Sequence, residues 1–104
     1  MSDGAYESES NCLIESRLAQ LKQLSFYQAS NLPEASDEEV TLAGQVSALT
    51  IFAQHRPDGD VLVTVQLARR GLLGFVSFHT ERGLLFSSDR IREATSEELI
   101  ESGG

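Results

Sequence analysis

Arg56-Pro57-Asp58-Gly59-Asp60, followed by Val61-Leu62-Val63-Thr64-Val65-Gln66-Leu67, is the stretch whose reading decides the fold. Proline presets the first turn position, aspartate suits the second, and glycine accepts a left-handed backbone. The residues after the turn alternate strictly. Val61, Val63, Val65 and Leu67 share one face of a strand, and Leu62, Thr64, Gln66 and Ala68 share the other. A turn signal beside such alternation predicts a β-hairpin whose valine face is core.

Upstream of the hairpin, Val40 opens a β region that runs to Phe52. Val40, Leu42, Val46 and Ala48 have one parity, whereas Leu49 and Ile51 have the other. A parity change within one long strand predicts a bulge or bend near Gly44 or Ala48. Downstream, Arg69-Arg70-Gly71 reads as a turn, Phe75 to Phe78 as a third strand ending at His79, Glu81-Arg82-Gly83 as a turn, and Leu84-Leu85-Phe86 as a fourth strand. Ser87-Ser88-Asp89 breaks that strand, and Ile91 extends into a short final one.

The flanks read as helical. Ile14, Leu18, Leu21 and Leu24 form an apolar stripe at helical spacing, with Leu13 and Ala19 beside it. Arg17, Gln20, Lys22 and Gln23 form the wet side. Ser10 or Asn11 suits the helix cap, and Leu32-Pro33 ends the element. Pro33 to Glu39 reads as an acidic connector. Thr95-Ser96-Glu97-Glu98 fits a capping box before a short C-terminal helix bearing Leu99 and Ile100. The expected fold class is therefore α+β: an N-terminal helix packed on a four-stranded antiparallel β-meander, with a short C-terminal helix. Residues 1–9 read as a flexible acidic tail, 10–102 as a single domain, and 103–104 as a frayed C-terminus.

Composition bounds the function. A chain of 104 residues is one domain in size, and its 40% hydrophobic content suits a folded core. The net charge of −8 disfavours direct nucleic-acid binding and anionic membrane surfaces. No apolar run is long enough to span a bilayer. A single cysteine and an acidic, polar start without a signal-peptide pattern point to the cytoplasm. The acidity is uneven. Residues 1–39 carry eight acidic and two basic side chains, whereas residues 40–94 carry five acidic side chains against six arginines.

No motif names a reaction, a metal or a cofactor. Cys12 with His55 or His79 would make a nucleophile and base, but a lone cysteine on an amphipathic helix is more often structural. His55, Asp58 and Asp60 are too few for a metal site and have a sufficient role in the turn. Gly71-Leu72-Leu73-Gly74 lacks the Gly-Lys-Ser/Thr of a phosphate loop. Gly103-Gly104 is similar to the terminus of ubiquitin-like sulfur carriers, but those begin with a β-hairpin and this chain begins with a helix.

The favoured reading is a non-catalytic protein-binding module, of the adaptor, inhibitor, immunity or chaperone kind, acting through its sheet or its acidic surface. The alternative is a small-ligand or enzymatic domain holding an anionic group with arginines on the sheet; a nucleic-acid mimic is a further one. Candidate anion- or partner-binding residues are His55, Arg56, Arg69, Arg70, His79 and Arg82, since arginine forks grip carboxylate and phosphate at two points. The candidate acidic partner surface is Glu34, Asp37, Glu38 and Glu39. The expected partner is another protein, of basic character, or a second copy joined at a sheet edge.

Overall fold

The computed structural model describes residues 2–70, 76–95 and 99, except for the side chains of 2, 3, 70 and 76–79. Helix α1 spans Ser2–Leu21 and a short helix α2 spans Phe26–Ser30. Five strands follow: β1 Ala35–Leu42, β2 Gln45–His55, β3 Val61–Arg70, β4 Val76–Phe86 and β5 Ile91–Glu93. They form one antiparallel meander in the order β1-β2-β3-β4-β5. The α+β architecture matches expectation, with five strands where four were read.

The first expected strand is two, β1 and β2; the third and fourth expected strands are one, β4; and Ile91 lies in β5. Ala35 to Leu42 pairs residue by residue with Gln45 to Phe52, so Asp37, Glu38 and Glu39 lie within a strand. The parity change read as a bulge is a hairpin. Ala43 and Gly44 both have positive φ, 49° and 77°, and this fits a two-residue turn of the kind that matches strand twist. The sequence hid this turn because Ala43 stands where asparagine or glycine normally marks it.

The hairpin at Pro57-Asp58-Gly59 is as expected. Gly59 N donates to Arg56 O at 3.0 Å, Arg56 N donates to Asp60 O at 2.8 Å, and Asp58 Oδ1 accepts from Asp60 N at 3.0 Å. Gly59 has φ 94°, the conformation for which the turn uses glycine.

Val61, Val63, Val65 and Leu67 are fully buried, together with Leu49, Leu84 and Phe86. They join Ile14, Leu18 and Leu21 of α1 and Ala29 of α2 in one cluster, with Leu24 packed against it. Ile14, Leu18 and Leu21 of the predicted stripe are thus core, but the helix expected to run to Leu32-Pro33 stops at Leu21, and Leu24 lies in the turn before α2. The helix also begins earlier than predicted. Where a tail was expected over 1–9, α1 is already helical from Ser2, and Tyr6 and Ser10 continue the stripe at i+4 spacing, both 0% exposed. The Tyr6 and Ser47 hydroxyls share a 2.6 Å hydrogen bond, and Ser10 Oγ donates to Tyr6 O at 2.7 Å. These bonds let a polar stretch bury its face without orphaning its hydroxyls.

Glu81-Arg82-Gly83 does not turn. It lies inside β4, where Arg82 pairs with Val65 and Gly83 with Thr64. The break in this hairpin is instead a register shift. Leu67 lies opposite Thr80 and Ala68 opposite Phe78, so β4 has one extra residue there, His79. No C-terminal helix is among the described elements. The expected capping box from Ser96 to Glu98, and Ile100, lie outside the described residues, although Leu99 N donates to Thr95 O at 3.1 Å.

Two stability outcomes follow from this packing. Ala43→Asn should raise stability by about 0.5–1 kcal/mol in a urea titration, because asparagine tolerates the left-handed region that alanine enters at a cost. Tyr6→Phe should cost about 1 kcal/mol by losing the bond to Ser47, and Tyr6→Ala about 3 kcal/mol by also opening a cavity. A Tyr6→Ala variant as stable as the parent would show that residues 2–10 do not belong to the folded core.

Candidate functional site

Strand alternation and register divide the sheet into two faces. The helix face carries Val61, Val63, Val65 and Leu67 of β3. On it, by register, lie Ser47 and Leu49 of β2, Glu38 of β1, Arg82 of β4 and Glu93 of β5. The second face carries Leu62, Thr64 and Gln66 of β3, Val46, Ala48, Thr50 and Phe52 of β2, Asp37 and Glu39 of β1, and Glu81, Gly83 and Leu85 of β4.

On the helix face, Glu38, Arg82 and Glu93 meet opposite charges. Arg17 of α1 reaches Glu38, with Nη1 to Oε1 at 2.8 Å. Arg82 is held between Glu15 of α1, at 2.6 Å, and Glu93 of β5. The hydrogen bond to Glu15 is the largest influence on Arg82. It and Glu93 raise the pKa of the guanidinium against a lesser lowering by burial. The Arg69 guanidinium lies 5.2 Å from the centre of the Tyr6 ring, within cation–π range. These contacts fasten α1 to three strands, although exposed pairs of this kind contribute at most about 1 kcal/mol each.

The candidate cations are dispersed. His55, exposed, and Arg56 stand at the Pro57-Asp58-Gly59 end of the sheet. Arg69 stands eight residues along β3 from Val61, or about 26 Å at the usual rise. Arg70 adjoins it in sequence, but its side chain, like that of His79, lies outside the described residues. Arg82 is taken up in the pairs to α1 and β5. Among the described residues, the structure therefore does not gather His55, Arg56, Arg69 and Arg82 around one point. Cys12 is exposed on α1. Among the described residues, no three His, Cys, Asp or Glu side chains are placed to hold a metal ion. Gly71-Leu72-Leu73-Gly74 and Gly103-Gly104 lie outside the described residues. Among those described, no helix is long and apolar enough to cross a membrane.

The acidic residues, by contrast, share one sheet edge, with Asp37 and Glu39 on the second face and Glu38 on the helix face. Glu34 accepts at its backbone oxygen from Ala53 N and leads directly into β1, an edge strand of the sheet. Glu34, Asp37, Glu38 and Glu39 are all exposed. On the second face the acids meet neutral partners. Asp37 Oδ1 accepts from Thr50 Oγ1 at 2.8 Å, and Glu81 accepts from Gln66. Among the described residues Asp37, Glu39 and Glu81 have no cationic partner. Beside Asp37 and Glu39 lie Val46 and Phe52, 42% and 36% exposed. Sequence reading found the acids but missed this adjacency, which arises only from the β1–β2 register.

The other half of the second face is covered. Leu62, Thr64 and Leu85 are buried. A Cβ placed on Gly83 would stand 2.8 Å from Leu99 Cδ2, 3.2 Å from Val63 O and 3.3 Å from Ala94 Cβ. Gly83 is thus a notch that admits Leu99, while Ala94 N donates to Gly83 O at 2.8 Å. The open ground on this face is the β1–β2 half.

Gly83→Ala should therefore cost about 1–3 kcal/mol, since the added methyl displaces Leu99 and presses on a backbone carbonyl. The Gly83→Ala, Leu99→Ala double variant should recover part of that loss in thermal unfolding; equal losses in the single and double variants would exclude the notch. No known family, curated protein or solved structure matches the chain.

Proposed function

We propose that this chain is a non-catalytic protein-binding module that engages a basic partner through β1 and the open half of the second sheet face. The observation that carries this reading is the contrast between the two faces. Acids on the helix face are neutralised by Arg17 and Arg82, whereas Asp37 and Glu39 bond to a neutral hydroxyl or to no described cation. They border the partly exposed Val46 and Phe52. A charged rim beside apolar side chains suits a protein partner, because charge steers encounter and apolar contact adds affinity.

A second copy of the chain is a weaker candidate for β1. Full-length antiparallel pairing of β1 with itself would set Glu38 against Glu39, and like charges directly opposed destabilise a strand pair. The small-ligand alternative needs the arginines to converge, and Arg56 and Arg69 stand at opposite ends of the sheet.

The test is capture by the immobilised chain, compared with an Asp37→Lys, Glu39→Lys double variant that keeps the native circular dichroism spectrum. One or more basic proteins should be retained by the parent, lost from the variant, and released as salt rises. Identical protein sets on both columns would overturn the reading.

A further inference from the structure

We propose that β1 is a strand-addition site for an extended basic peptide, which would continue the sheet beyond its present edge. This rests on the reading above and specifies the form of the partner. β1 is the outermost strand, with eight residues paired on one side to β2. Among the described residues, no backbone group outside β2 pairs with it. Ala35 to Glu39 and Thr41 are exposed, so neither helix covers this edge. An open edge presents a row of backbone donors and acceptors, and an extended chain satisfies them directly.

The charges specify the occupant. Asp37 and Glu39 project to the second face, so residues two apart in an added strand fall beside them. Both positions call for lysine or arginine. The intervening residues fall on the helix face, beside Glu38, which Arg17 already neutralises, and beside half-buried Val40. Those positions call for small or apolar side chains. The recognised pattern is thus basic and apolar residues in alternation. An amphipathic helix laid on Val46 to Phe52 fits less well, because the Thr50–Asp37 hydrogen bond sits between those side chains.

The probe is a short, capped, alternating lysine–valine peptide titrated into the full chain, with amide exchange read residue by residue. Binding should slow exchange along β1. It should weaken roughly tenfold in the Asp37→Asn, Glu39→Gln variant, whose neutral side chains keep their shape and hydrogen-bonding capacity. N-methylation of alternate backbone nitrogens on the edge-facing side of the peptide should abolish binding with its charge unchanged. If the methylated peptide binds equally well, or protection falls on Val46 and Phe52 while β1 exchanges freely, strand addition is overturned and the charged surface reading stands. If the peptide perturbs neither β1 nor the second face, both are overturned.

Discussion

The structure depends on β3 being buried from both sides. From Val61 to Val65 every side chain is at most 5% exposed, with valines on the helix face and Leu62 and Thr64 on the other. Burying one such aliphatic side chain contributes roughly 1.5–3 kcal/mol, more than any surface ion pair here. A strand in that position needs a neighbour along each edge and a cover over each face. β2 and β4 supply the edges, α1 and α2 cover the valines, and Leu99 seats in the notch at Gly83 on the other side.

The charge distribution follows from this arrangement. Laying an acidic helix on the sheet brings Glu15 to Arg82, and Arg17 to Glu38. Among the described candidate arginines, Arg69 and Arg82 contact the helix, and Arg56 stands at the far end of the sheet. The acids of β1 that face away from the helix have no such partners among the described residues. An edge strand loaded with acid also resists pairing with copies of itself, a common protection for open sheet edges. Under the proposal above that protection is selective, repelling like charge and admitting a basic chain.

Much of this fold was legible in the sequence. The strict alternation of Val61 to Leu67, the turn at Pro57-Asp58-Gly59 and the helical spacing of Ile14, Leu18 and Leu21 all encode local geometry directly. Tyr6 and Ser10 obey the same spacing, but acidic and hydroxyl neighbours masked them. The burial of the Tyr6 hydroxyl is permitted by Ser47, 41 residues away in the chain, and that of Ser10 by the Tyr6 carbonyl. The Ala43-Gly44 turn lacked its usual marker, so two strands read as one. The candidate site was half legible. Glu34, Asp37, Glu38 and Glu39 stood out as an acidic run, but their place on a sheet edge did not.

By itself the sequence determined the class of the fold, the central hairpin and the inward face of the core strand, because turn chemistry and side-chain periodicity act over a few residues. Tertiary structure decided that the acidic run is an edge strand, that Arg82 belongs to a strand and clasps the helix, and that Gly83 is a notch. Each of those outcomes depends on what a distant segment places opposite. Charged residues read as loop until β2 supplies a register, and a Glu-Arg-Gly triplet reads as a turn until β3 runs beside it.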